Sequence, residues 1–213
     1  MLIHTDYTSP SSFITFASKL FLKSGEVHEA CGPARIRFAI LVGAATKGTI
    51  IWIRPKWDNT IFNSDGISCW FSPKRLLLIK SLNMNDLLYS VEESLRSGVA
   101  PLVIAELPKV PKLTPIRRLN LASKTISKNN ELPVCIILTP NEGGATSIAS
   151  RWFISSLPCD KVPNNFSPSI SYGKWKLSRL FSKTEPQAQW TLEAVYSTNY
   201  KKILNLILTP LNE

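Results

Sequence analysis

At 213 residues, 44% hydrophobic and 19% charged, the chain can bury one substantial core, which excludes wholesale disorder. Its 25 basic residues outweigh 15 acidic ones for a formal charge of +10, which favours an acidic partner such as nucleic acid and decides nothing about fold. Cys31, Cys69, Cys135 and Cys159 lie far apart, without zinc spacing or disulfide density, and read as small core residues of a reducing cytoplasm.

Residues 1–24 are expected to form a partly ordered arm. Their start, MLIHTDYTSP, has no basic stretch ahead of an apolar core and so does not read as a secretory signal. No apolar run reaches the roughly eighteen residues of a membrane span, so a cytoplasmic protein without membrane contact is expected. Residues 25–31 alternate polar and apolar as a first strand, which stops at Gly32-Pro33 before a helix-like run. The segments 48–54 (GTIIWIR), 75–80 (RLLLIK), 101–107 (PLVIAEL) and 132–139 (LPVCIILT) are almost wholly apolar, as in strands buried on both faces.

Helices are predicted between them. Asn83 opens one over 84–97, with Asp86 in the place of a capping-box Glu or Gln; Leu87, Leu88, Val91 and Leu95 share a face, and Gly98 closes it. A second, over 114–128, starts at Thr114-Pro115 with proline at the favoured first position and carries Ile116, Leu119, Ala122 and Ile126. Beyond residue 147, segments 150–156 (SRWFISS), 171–183 (SYGKWKLSRLFSK) and 187–197 (QAQWTLEAVYS) have period two, as in antiparallel strands with one wet face. A Pro/Asn/Ser-rich connector spans 157–170. The pattern predicts an α/β fold: a mostly parallel sheet covered on both faces over 25–156, extended by antiparallel strands over 157–213 of the same domain.

Open parallel sheets bind ligands outside the carboxyl ends of their strands, so those ends carry the candidate sites. A phosphate loop needs curled backbone N–H groups, a lysine and a hydroxyl for magnesium. After Gly32 the chain offers Pro33, which has no N–H, then Arg35 and Arg37 as candidate clamps, and no hydroxyl before Thr46. Glu106 occupies a magnesium-carboxylate position, though a solvated or lysine-paired strand-end acid is the plainer reading. His28 and Glu29, adjacent and therefore on opposite faces, form no acid–base or metal set, and His28 reads as a hydrogen-bonded strand histidine. No catalytic residue, cofactor or metal is expected.

Cations mark candidate contacts to DNA or a partner: Arg54 and Lys56 after the second strand, and Arg117 and Arg118 on the second helix. The loop from Pro140 to Ser147, with Asn141, Gly143 and Gly144, is followed by Arg151 and offers backbone N–H groups to a phosphate chain. A flexible connection with a solvated basic face is its plainer alternative. Lys174, Lys176 and Ser178 share one face of their strand and Trp175, Leu177 and Phe181 the other. Trp152, Trp175 and Trp190, in alternating strands, read as core before they read as stacking platforms.

The stretch DLLYSVEESLRSGVAPLVIAEL (86–107), a helix closing on Arg-Ser-Gly before a buried strand with a terminal acid, resembles the core of RecA-like ATPases. LTPIRRLNLASKT (113–125) and LPVCIILTPNEGG (132–144) follow in the order of the next helix, the next strand and the DNA-facing second loop. Together with GEVHEACGP, RSGVAPLVIAELP, LTPIRRL and SRWFIS they are most similar to ImuA-type proteins, over about residues 25–155. The resemblance implies a RecA-like three-layer core and a role in SOS-induced, error-prone translesion synthesis. It implies RecA, a Y-family polymerase or the replication machinery as partners, with single-stranded DNA as a further one. Kinship of that family with SulA implies a rival role, inhibition of the cell-division filament. The departures are chemical: no phosphate-loop lysine or hydroxyl follows Gly32-Pro33, and Arg54-Pro55-Lys56 stands where active ATPases carry a catalytic glutamate. A non-hydrolysing adaptor is therefore expected before an unconventional NTP-binding protein.

Overall fold

The computed structural model describes residues 13–125, 131–158, 169–197, 199 and 202–211. A hairpin of β1 (Phe13–Phe16) and β2 (Leu20–Lys23) leads into β3 (Val27–Cys31), α1 (Arg35–Ala45), β4 (Ile50–Pro55) and the short α2 (Ser64–Ser68). A single 3-10 turn at Pro73–Arg75 enters β5 (Leu76–Ser81), followed by α3 (Met84–Arg96), β6 (Leu102–Glu106), α4 (Leu113–Ala122) and β7 (Val134–Leu138). The chain ends in β8 (Ser150–Leu157), β9 (Ser169–Ser182), β10 (Ala188–Ser197) and β11 (Lys202–Pro210).

Nine strands make one sheet in the order β11-β10-β9-β8-β3-β7-β6-β4-β5. The strands from β8 through β5 run parallel, and β9, β10 and β11 continue the sheet antiparallel. Burial explains the division. Every residue of β3, β4 and β7 is buried, because helices or the hairpin cover both sides, whereas β8 alternates and has one wetter face.

Two apolar layers sandwich the parallel strands. On one side α1 and the hairpin pack Phe16, Leu22, Phe38 and Leu41 against Trp52, Ile104, Ile136 and Trp152. On the other, Leu87, Val91 and Leu95 of α3 and Ile116 and Leu119 of α4 meet Ile53, Val103 and Ile137. Each buried large aliphatic side chain contributes roughly 1.5–3 kcal/mol, so these layers dominate stability. The first of them extends beneath β9 and β10 through Trp175, Leu177 and Leu192.

Several expectations need correction. The expected partly ordered arm is, over residues 13–23, a hairpin built into the core: Phe16 and Leu22 are buried, and Phe16 meets Phe38 and Trp152 edge-on at 5.3 and 5.6 Å. Segment 75–80 is an edge strand paired only with β4, which leaves Leu77 and Leu78 exposed. β8, expected antiparallel, runs parallel to β3 and turns antiparallel only toward β9. Phe181 leaves the aromatic face because a register shift between Arg151 and Trp152 sets it opposite Arg151, and it is exposed. α4 begins at Leu113, so Pro115 is its third residue, still within the first turn where its missing N–H removes no helical bond. Asp86 accepts from the Asn83 side-chain amide at 2.8 Å, while Asn83 Oδ1 caps Asn85 N and Asp86 N. β11 and the hairpin were not anticipated. α4 stops at Ala122 and is capped at Ser123, short of the expected end at 128. Residues 1–12 of the expected arm, Ile126, most of the 157–170 connector and Cys159 lie outside the described residues.

Candidate functional site: the crevice at the carboxyl ends

The carboxyl ends of β4, β6 and β7 open into a crevice of about 280 Å³, lined by Arg35, Pro55, Trp57, Asp58, Glu106, Leu107, Pro108 and Leu138. It lies beside the turn from β3 into α1, where a nucleotide would sit in an open parallel sheet.

That turn has used its donors. Gly32 N–H donates to Asn141 O at 2.8 Å and Ala34 N–H to Ile154 O at 3.1 Å, while Pro33 has no N–H. Arg35 N–H turns to Gly32 O at 3.3 Å, and the α1 N-cap residue, Ala34, offers no side-chain cap. Only glycine fits at position 32: φ is +91°, and a Cβ would lie 2.6 Å from Ile154 O. The loop after β7 thus occupies, with its own carbonyl, a donor that a phosphate would need.

A buried clamp holds that loop in place. Glu29 is fully buried and bonds Arg151 Nε at 2.5 Å, Thr139 Oγ1 at 2.6 Å and the N–H groups of Gly144 and Ala145 at 3.0–3.2 Å. Arg151 closes the ring by donating to Ala145 O at 2.7 Å. Gly143 is needed because φ is +77° and a Cβ would stand 2.8 Å from Glu29 Oε1. Asn141, Gly143, Gly144 and Arg151, expected as outward contacts, are thus largely parts of an internal latch, although Asn141 and Gly144 keep exposed surface.

The acid of β6 belongs to a second network. Arg54, expected on the surface, is 1% exposed, with its guanidinium at 3.2 Å from Glu106, 2.9 Å from Asp58 and 2.6 Å from Thr60 O. Glu106 also accepts from Trp52 Nε1 at 2.7 Å, so its partners are an arginine and an indole in place of the expected lysine. Burial pushes the Glu106 carboxyl above its usual range, against the pull of Trp52 and Arg54. Hydrogen bonds from the Thr60 hydroxyl and N–H, helped by Arg54, hold Asp58 below its usual value. Both carboxylates on the crevice wall thus face a protein cation.

The other predicted residues are dispersed. Arg37 is enclosed by Trp70, Tyr172 and Trp175, with ring centroids at 5.1, 5.7 and 5.2 Å, and makes a cation–π contact where a phosphate clamp was expected. Arg118 is exposed and bridges to Glu92 of α3 at 2.6 Å, and Arg117, also exposed, lies beside Asn120, Lys124 and Lys183, away from the crevice. Lys174 and Lys176 lie on the face opposite buried Trp175 and Leu177, with Lys174 across from Glu193. Lys56 is exposed at the end of β4. No single surface gathers them.

His28 sits on the opposite side of β3 from Glu29. Its Nε2–H donates to Lys23 O at 2.9 Å, Ser150 Oγ donates to Nδ1 at 2.7 Å, and Trp152 Nε1 donates to Ser150 Oγ at 2.8 Å. The chain satisfies a neutral imidazole, and burial drives the His28 pKa down to about 4. Burial likewise pushes the Cys31 and Cys135 thiols up to about 12, leaving both inert at neutral pH. No helix among the described residues is long and apolar enough to cross a membrane.

Trp57, not among the residues expected at the site, is 55% exposed at the crevice mouth. The polar turn Asp58-Asn59-Thr60 directly behind it was the available signal. In comparisons with known proteins, no family model and no curated protein matches this chain.

Proposed function

We propose that the chain is a non-hydrolysing, RecA-like accessory protein of the SOS DNA-damage response. It acts in the cytoplasm as an adaptor for error-prone translesion synthesis, through contacts with RecA, a Y-family polymerase or the replication machinery. One observation carries the reading: the crevice occupies a nucleotide site's position, yet Gly32 N–H, Ala34 N–H and the Glu106 carboxylate all have partners within the chain. A phosphate entering there would have to displace protein bonds with no lysine or magnesium hydroxyl to replace them. The order of motifs from 25 to 155 supports the family assignment, and the two latches support rigidity, which an adaptor needs to present one surface to successive partners. The test is capture of purified RecA and of a Y-family polymerase by the immobilised chain, with and without single-stranded DNA. Retention of at least one is expected. Failure to retain either would sink the adaptor reading.

A further inference from the structure

The tryptophans divide into two environments. Trp52 and Trp152 are fully buried, Trp175 nearly so, and Trp70 and Trp190 half-buried within aromatic clusters. Trp57 alone among the described residues is a tryptophan more than half in water.

Its backbone is fixed although its ring is free. Lys56 N–H donates to Ser81 O at 2.8 Å and Asp58 N–H to Pro55 O at 3.2 Å, so both neighbours are tied. Asp58 then takes Arg54 and both donors of Thr60, while Arg54 donates to Thr60 O. A flat ring held out on a pinned turn meets a planar ligand with little ordering left to do.

The surroundings identify the ligand. The fold brings exposed Lys56, Lys80, Lys109 and Lys112 to this end of the sheet, after or at the ends of β4, β5 and β6. Arg35 lines the crevice wall. The nearest carboxylates, Asp58 and Glu106, are turned to Arg54; the exposed acids beyond them are Asp65 in the first turn of α2, Asp86 in the first turn of α3, bonded to Asn83, and Glu142 in the loop after β7. Exposed lysines at the same end of the sheet as one exposed aromatic ring match a chain of phosphates carrying unpaired bases.

We infer that Trp57 is a stacking platform for single-stranded nucleic acid, with Lys56, Lys80, Lys109 and Lys112 meeting the phosphates. The inference adds a nucleic-acid contact to the adaptor role proposed above and is separable from its protein partners. The duplex hides its base faces, so single strands bind better than duplex of the same length.

The experiment titrates the full chain with a labelled oligothymidylate and reads anisotropy, alongside intrinsic fluorescence. Binding that quenches the water-exposed emission and weakens steeply with salt is expected. W57A should bind about tenfold more weakly or worse, whereas W57F keeps most of the affinity because its ring still stacks. K109A/K112A should lower the affinity and flatten the salt slope. Absence of oligonucleotide binding by the wild type, or W57A binding as wild type does, would overturn the platform. So would a W57A chain that binds the oligonucleotide normally but loses RecA or the polymerase, since the ring would then be a protein contact. W57A retaining protein partners while losing the oligonucleotide supports the platform and leaves the adaptor reading standing. Because Trp57 is exposed, an unchanged circular dichroism spectrum and melting temperature control for folding.

Discussion

Glu29 shows how much one buried charge can organise. Its carboxylate accepts from Arg151, Thr139 and two backbone N–H groups, and through them holds the loop whose Asn141 carbonyl occupies Gly32 N–H. Removing one partner of a buried pair leaves a charge without compensation, at about 3–5 kcal/mol in a dry site. Arg151 is partly exposed, and the remaining donors soften the loss. R151A should therefore lower unfolding free energy in urea by about 3 kcal/mol, and E29Q/R151A should recover part of it because no buried charge remains. R151A within about 0.5 kcal/mol of wild type would show that the pair does not hold the loop. Alternation along β3 was enough to put His28 and Glu29 on opposite faces. The identity of Glu29's partner was not legible, because Arg151 follows 122 residues later and meets it only once β8 lies beside β3.

At the scale of elements, strand and helix positions were readable wherever burial repeated with a clear period. α3 ends at Arg96 before Gly98 in the left-handed region, as its spacing indicated. What escaped was neighbour choice. RLLLIK reads as a central strand, but the crossover that places β5 at the edge leaves half its apolar residues in water. The hairpin escaped because its anchor is tertiary: Lys23 O accepts from His28, whose ring is in turn fed by Ser150 and Trp152. Protonation would give His28 a donor toward Ser150 and break that chain. With the folded pKa near 4 and the unfolded value near 6.5, the unfolded state takes up the proton first. Stability present above about pH 6.5 is thus lost as pH falls toward 4, by about 2 kcal/mol at pH 5. Unfolding free energies from urea titrations at pH 7 and pH 5 should differ by that margin more in wild type than in H28Q. Equal pH dependence in the two would show that His28 does not set the acid sensitivity of the fold.

Over the whole molecule, the fold class was legible while the state of the crevice was only half so. The missing lysine and hydroxyl after Gly32-Pro33 were visible in the chain, and they argued against hydrolysis. That the empty chemistry is covered by the molecule itself was not visible, since it depends on β7's loop and β8 reaching the β3–α1 turn from more than a hundred residues away. The same long-range assembly turned Arg54 and Arg151 from surface cations into partners of buried carboxylates, so among the described residues the excess charge reaches solvent mainly through lysines and through Arg96, Arg117 and Arg118. Charge counting alone assigns too many contacts to nucleic acid, and burial prunes the set. With the loop after β7 and β8 bonded to it, the β3–α1 turn leaves a triphosphate no free donor at Gly32 or Ala34. Titration calorimetry of the chain with magnesium ATP, repeated with R151A to loosen the latch, tests this most directly. No saturable heat is expected for the wild type. Saturable binding of magnesium ATP by the wild type in the micromolar range would contradict it.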